Sequence, residues 1–169
     1  VHGGPDKVVY AYPSEHYEYW HAELPSVGFP WGVFGESFTT EGLLESAVYI
    51  GDQLRIGSAE FIVTQPRMPC FKLGMHFDRP DMVKRFLRSR RTGFYLRVSK
   101  EGDVAAGDTL TMTSSDPDAL TVAEIVRFHL DRGALDDGDQ DLLRRASTLT
   151  ALSVWWRDEF RKRLRALDA

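Results

Sequence analysis

Cysteine is almost missing from this chain. Cys70 is the only one in 169 residues, so an internal disulfide is excluded, as is any zinc site built on paired cysteines. Histidine is sparse as well. His2, His16, His21, His76 and His129 show no paired ligand spacing, and His16 and His21, five apart, miss the i, i+4 match of a helical metal pair. No apolar run approaches the roughly 20 residues that span a bilayer, and no secretory leader is visible. A surplus of positive charge is lacking too: the net charge is −4, which gives no electrostatic footprint for nucleic acid. These absences set the expectations of a cytoplasmic protein with neither a membrane nor a nucleic-acid partner. The chain opens on Val1-His2-Gly3-Gly4-Pro5 without a methionine, which reads as the interior of a longer protein, so a preceding segment is expected.

What is present reads as a folded chain. Hydrophobic residues make up 43% and charged residues 27%, a globular balance in a length that suits one core or a main domain with a small appendage. Val8 to Tyr12 predicts a short strand stopped by Pro13, and Ser14 a cap for a helix carrying Tyr17 and Trp20 on one face. Pro25, Gly28 and Pro30 make residues 24–31 a loop. Phe34 to Thr40 is a glycine-led extended stretch. The middle is β-rich: Val48 to Ile50, Gln53 to Ile56 and Ala59 to Thr64, with the turn signal G-D-x-L at Gly51–Leu54 and again at Gly107–Leu110. Between these strands one helix is predicted, with Pro80 in its first turn, an apolar stripe of Met82, Val83, Phe86 and Leu87, a basic opposite face, and Gly93 as its stop. Phe94 to Val98 returns to strand.

Composition shifts at residues 114–118, read as a linker. Thr121-x-x-Glu124 is a capping box, opening a helix with Ile125, Phe128 and His129 on its buried side and Gly133 at its end. Asp137 to Ala146 and about Leu152 to Leu167 read as two further helices, the last with Trp156, Phe160 and Leu164 every four residues. The expected organisation is a strand-rich domain over 1–115 and a three-helix unit over 116–169.

Four places carry candidate chemistry. Cys70 sits in Thr64-Gln65-Pro66-Arg67-Met68-Pro69-Cys70. A lone cysteine is most often a small buried hydrophobe. Here two prolines stiffen the backbone, while Arg67 and Lys72 favour a thiolate, the soft ligand that thiophilic metals take. His2-Gly3-Gly4-Pro5-Asp6-Lys7 offers glycine amides and cationic donors; its ordinary reading is a turn before the first strand. Gly35-Glu36-Ser37-Phe38-Thr39-Thr40 could line a polar ligand; its ordinary reading is a solvated strand edge. The arginines ending the helix after Pro80 read as complements to its C-terminus.

In order along the chain, H-G-G-P-D-K (2–7), G-E-S-F-T-T-E-G (35–42), I-G-D-Q-L-R-I-G (50–57) and T-Q-P-R-M-P-C (64–70) resemble the MOSC domain family. The tail from Asp118 resembles the three-helix appendage of its YiiM-like branch. The resemblance implies a mainly β fold with helices: a MOSC-type β-barrel domain with peripheral helices and a small C-terminal three-helix bundle. It implies a molybdenum cofactor, the metal bound to a pterin dithiolene, with Cys70 as metal ligand and catalytic centre. His2, Gly3, Gly4, Lys7, Gly35, Glu36, Ser37, Phe38, Thr39, Arg67 and Pro69 are the implied cofactor contacts, with Glu36 or His2 assisting proton delivery. The implied activity is reduction of N-hydroxylated compounds, of hydroxylaminopurine or amidoxime type, with electrons from a separate flavin or iron–sulfur protein. Two other readings are a sulfur carrier with a Cys70 persulfide and a non-catalytic binding module. Ser37 stands where the family usually has asparagine, and a hydroxyl has shorter reach and no amide fork.

Overall fold

The computed structural model describes residues 4–116, 118–131, 133 and 135–167. A 3-10 turn, Pro5–Lys7, leads into β1 (Val9–Pro13) and α1 (Glu15–Glu23), then β2 (Phe38–Thr40), β3 (Gln53–Ile56) and β4 (Ala59–Pro66). Helices α2 (Phe71–His76) and α3 (Met82–Ser89) precede β5 (Phe94–Lys100) and β6 (Leu110–Ser114), and α4 (Val122–Leu130), α5 (Asp137–Thr148) and α6 (Val154–Leu167) complete the order. The strands form one six-stranded sheet in the order β2-β1-β5-β4-β3-β6, parallel only at β1–β2 and antiparallel elsewhere. The sheet curls into a half-barrel, and six α-helices accompany it, so the fold is mixed α/β and keeps the expected barrel-like sheet with helices around it.

Period-two alternation sorts the side chains onto the two faces of the sheet. Ala11, Leu54, Phe61, Val63, Phe94 and Leu96 face one core, which continues into Val122, Ile125, Phe128, Leu143, Ala146, Trp156 and Phe160 of α4–α6. Tyr10 and Tyr12 point the other way, into an aromatic core with Tyr17, Trp20, Phe29, Phe34, Met82 and Phe86. There Trp20 and Phe86 lie nearly parallel at 6.0 Å, and the Trp20 indole N–H donates to the Tyr12 hydroxyl at 2.7 Å. The two G-D-x-L strands pair with each other: Leu54 lies opposite Met112, and Ile56 opposite Leu110. Each aspartate caps its own turn, Asp52 accepting the Tyr49 N–H at 2.8 Å and Asp108 the Ala105 N–H at 2.8 Å.

The C-terminal helices are tied to the sheet by backbone as well as by packing. The Ile50 N–H donates to the Leu120 carbonyl and the Val122 N–H to the Val48 carbonyl, each at 2.9 Å. Ser115, in the stretch that reads as a linker, donates to the Asp52 carboxylate at 2.6 Å. The Thr121–Glu124 capping box forms in both directions. No helix of the described residues is long and apolar enough to cross a membrane.

Several local expectations are corrected. Ser14 makes no side-chain cap and already has helical dihedrals; its hydroxyl reaches Glu15 instead, at 3.4 Å. Pro80 stands one residue before the N-cap, Asp81, rather than in the first turn of α3. That helix stops at Arg90, in the left-handed conformation with φ 56°, not at Gly93. Gly93 serves the sheet instead. At φ +60° its backbone passes so close to β1 that a Cβ would stand 2.4 Å from the Ala11 carbonyl oxygen. α4 ends at Leu130, before Gly133. Residues Val48 to Ile50 contribute only an isolated bridge, Tyr49 to Thr121.

Candidate functional site

The loop after β4 carries Arg67, Met68, Pro69 and Cys70, all half-buried. A backbone bond from the Arg67 N–H to the Gly93 carbonyl, at 3.2 Å, fixes where this loop leaves the sheet. Pro66 and Pro69 restrict the rest. Cys70 is a free thiol, neither sealed in the core nor fully exposed. It is the N-cap residue of α2, in extended conformation, and makes no side-chain cap bond.

Arg67 is held from three sides. Its guanidinium lies over the Tyr10 ring at 5.3 Å and the Phe86 ring at 5.0 Å, contacts that favour a cation. Its Nη2 donates to the Phe34 carbonyl at 3.4 Å. The remaining terminal nitrogen, Nη1, is buried and has no hydrogen-bond partner among the described residues. Gln65 Oε1, two residues earlier, is also buried without a partner. Burial pushes the Tyr10 phenol well above the ordinary tyrosine value, although Arg67 opposes this, so the ring under the cation stays neutral.

A cleft of about 210 Å³ opens beside Arg67. One wall is Gly32, Val33, Phe34 and Gly35; the other is Lys72, Leu73 and His76 of α2. Among the described residues no carboxylate lines it. Three exposed apolar side chains are near in sequence to these walls: Trp31 (67% exposed), Phe71 (67%) and Met75 (71%). Trp31 is braced edge-on against Tyr17 at 4.5 Å.

Glu36 organises the first wall. Its carboxylate accepts the Tyr17 hydroxyl, the Gly32 N–H at 3.1 Å, the Phe34 N–H at 3.1 Å and the Thr39 hydroxyl at 3.2 Å. Burial first, and then the bond to Glu36, raise the Tyr17 phenol far above its ordinary value. Tyr17 therefore remains a donor at any working pH. With both oxygens occupied, Glu36 staples the Gly32–Thr39 loop. Gly35, at φ +82°, meets nothing within 4 Å where a Cβ would stand, so its backbone is open to a ligand.

The other candidate residues fall into place around this frame. The Ser37 N–H donates to the Tyr10 carbonyl at 2.8 Å, and its hydroxyl accepts the Tyr10 N–H at 3.3 Å, so the short side chain is used in joining the loop to β1. Phe38 packs edge-on against Phe61 at 5.6 Å. Gly4 is exposed and Lys7 half-buried, beside Asp6, whose carboxylate pairs with Arg97 at 3.1 Å. His2 and Gly3 lie outside the described residues. The structure thus joins the first motif to the fourth through Thr64 and Asp6, and ties the residue just before the second motif, Phe34, to Arg67 of the fourth. The third motif, around Asp52, is scaffold.

Sequence reasoning missed α2, the cleft roles of Gly32 and His76, and Glu45. α2 has only six residues with Gly74 inside, too short for periodicity to reveal. Gly32, Lys72 and His76 become cleft residues only through its placement. Glu45 carries no local signal either. It accepts His16 Nε2 at 2.7 Å and the Gly93 N–H at 2.7 Å, and its carbonyl accepts the Ala123 N–H at 2.9 Å. One buried residue thereby links α1, the residue that leads into β5, and α4.

A chain with this half-barrel and this loop-borne thiol belongs to the MOSC domain family: the model of that domain matches residues 1–111. The family is associated with binding of the molybdenum cofactor. The chain is 38% identical over 167 residues to the protein YiiM of Escherichia coli strain K12, covering 96% of this chain and 71% of that one. It is 37% identical over 114 residues to a protein named "Reductase" from Gibberella moniliformis, covering 66% of this chain and 20% of that one. The crystal structure of YiiM from Geobacillus stearothermophilus superposes with a TM-score of 0.87 at 37% identity, covering 96% of this chain and 80% of that one.

Proposed function

We propose that this protein binds a molybdenum-pterin cofactor with the Cys70 thiolate as metal ligand and reduces N-hydroxylated compounds. The observation that carries the reading is the position of Cys70: a free, half-exposed thiol on a proline-fenced loop, three residues after a stacked arginine with an unpartnered nitrogen. The reductase name borne by one relative supports it.

The donor set fits the group. Among the described residues no three His, Cys, Asp or Glu side chains gather to hold a metal ion. A metal taking one thiolate from the chain and its other ligands from a dithiolene needs no such gathering. The buried orphan nitrogen of Arg67 and the open backbone at Gly35 suit an anionic, polar guest. When bound, the group supplies the two electrons that convert an N-hydroxyl compound and two protons into the amine and water.

The chain's own residues bind and orient. Cys70 supplies the soft ligand. Arg67 offers a fixed cation whose planar fork is already oriented by Phe34. Glu36 and Tyr17 hold the Gly32–Thr39 loop so that its backbone faces the guest. Lys7 and Gly4 are held beside β4 by the Thr64–Asp6 bond. Electrons come, in this reading, from a separate flavin or iron–sulfur protein. A thiol that must stay reduced to serve as ligand suits the cytoplasm.

The test is reduction of a hydroxylamine-type substrate by cofactor-loaded protein with a chemical reductant. Amine formed in proportion to enzyme supports the reading. Sulfane sulfur on Cys70 in protein that carries no metal and reduces nothing would replace it with the sulfur-carrier reading.

A further inference from the structure

The charge of the chain is unevenly placed. Residues 79–91 carry Arg79, Lys84, Arg85, Arg88, Arg90 and Arg91 against one acid, Asp81, in a chain of net charge −4. Part of this charge is matched within the fold. Arg85 donates to Asp81 at 2.6 Å and to Glu23, Arg79 also bonds Asp81, and Arg90 pairs with Asp131 at 2.6 Å. Lys84 and Arg88 differ. They stand one turn apart on the exposed face of α3, and neither is paired with a carboxylate among the described residues. A cation in the last turn, like Arg88, suits the helix dipole, but Lys84 in the first turn is opposed by it. The helix therefore does not account for the pair. Both line a hollow of about 400 Å³ with Tyr19, Glu23, Asp81 and Arg85, and its two carboxylates are the ones that Arg85 already holds.

The hollow is joined to the Cys70 loop by packed rings. Tyr19, at its wall, carries the Arg91 guanidinium on its face at 4.0 Å and lies 5.0 Å from Trp20. Trp20 lies 6.0 Å from Phe86, and the Phe86 ring lies 5.0 Å from the Arg67 guanidinium, three residues before the thiol. Electrons tunnel more readily through packed atoms than across solvent, so a carrier seated in this hollow meets a continuous medium toward Cys70.

We propose that the exposed face of α3, centred on Lys84 and Arg88, docks an acidic protein, the electron carrier of the reduction described above. The docking stands on the charge and the hollow; the partner's redox role rests on the proposed function. In each turnover the carrier is oxidised by two electrons, which with two protons convert the N-hydroxyl compound into amine and water. A small charged face of this kind suits a transient encounter that is steered electrostatically.

Titration of the isotope-labelled protein with an oxidised, acidic flavodoxin tests the surface. Amide shifts are expected to gather at Tyr19, Lys84 and Arg88 at low salt and to fade as salt screens the contact. Lys84→Glu and Arg88→Glu each weaken binding severalfold, and together about tenfold or more, because like charges now meet. Lys162→Glu, an equal change of charge on exposed α6, leaves it unchanged. All three residues are exposed, so the variants keep the fold. In cofactor-loaded protein the double variant raises the KM for reduced flavodoxin by the same factor and leaves dithionite-driven turnover as it was. Shifts that gather elsewhere, equal binding by the double variant, or weakening by Lys162→Glu to the same degree overturns the proposal. So does a short single-stranded DNA that binds this face while flavodoxin does not. Dithionite-driven turnover tests the reductase reading alone: its absence with docking intact faults that reading, and its presence with docking absent faults this one.

Discussion

The Thr64 hydroxyl lies 2.7 Å from the Asp6 carbonyl and 3.0 Å from the Tyr95 carbonyl. One buried side chain at the end of β4 thereby fixes the segment around Asp6 to the strand that delivers Cys70. Thr64→Val keeps the shape and removes the donor. It should cost about 1–3 kcal/mol, the penalty for leaving buried carbonyls unmatched, and should lower cofactor retention more than it lowers the melting temperature. Urea denaturation and metal analysis of the same preparation check both effects.

Glu36 holds four donors. Glu36→Gln keeps the size but replaces a carboxylate with a group that has one acceptor oxygen. The loop then loses part of its anchoring, and a stability loss of about 1–3 kcal/mol is expected from the weakened charged hydrogen bonds. Tyr17→Phe should reproduce much of it, and the double variant should cost less than the sum, because both act on one network.

Gly93→Ala meets two obstacles, a positive φ and a carbonyl oxygen 2.4 Å from the new Cβ. Strain of about 1–3 kcal/mol applies to the backbone alone, and the contact adds to it. Gly107, at φ +89° with open space around it, carries the first obstacle only. Thermal denaturation should therefore show a clearly larger loss for Gly93→Ala than for Gly107→Ala; equal losses would contradict the close approach.

Asp81 titrates below the ordinary carboxyl range, from 3.8 to about 2, through its hydrogen bonds to Arg85 and then Arg79. A depressed folded-state value means that the stabilisation is present above the unfolded value and fades as pH falls from about 4 toward 2. Asp81→Asn should flatten that part of the stability-versus-pH curve and leave the neutral region little changed, because the group is exposed and screened.

Trp156 and Phe160 of α6 share a core with Leu54, Phe61 and Phe94 of the sheet. Trp156→Ala should cost about 3–5 kcal/mol, and fluorescence and far-UV dichroism should report one common transition. Two separated transitions would show that α4–α6 fold apart from the sheet.

The elements with strong local patterns were legible in the sequence. The Thr121–Glu124 box needs only residues three apart. The two G-D-x-L turns announce strands, and the spacing of Trp156, Phe160 and Leu164 announces α6. What depended on distant partners was not legible. Gly93 reads as a helix stop, but the left-handed residue that ends α3 is Arg90, and the glycine serves the crossing with Ala11. Glu36 reads as part of a stretch that could line a polar ligand, and its bonds to Tyr17 and to two amides of its own loop have no local signal. α2 is too short to show a period, so the second wall of the cleft was invisible. The loop sequence singles out the thiol and the arginine three residues before it as candidates. The ring sandwich that fixes that arginine comes from β1 and α3, and no local reading places it there.

Molybdenum content per chain, measured on protein purified from a cofactor-competent host, tests the central claim most directly. The account predicts close to one metal per wild-type chain and almost none in a folded Cys70→Ala variant. A wild-type chain without molybdenum from such a host, or a Cys70→Ala variant that retains the metal, would contradict it.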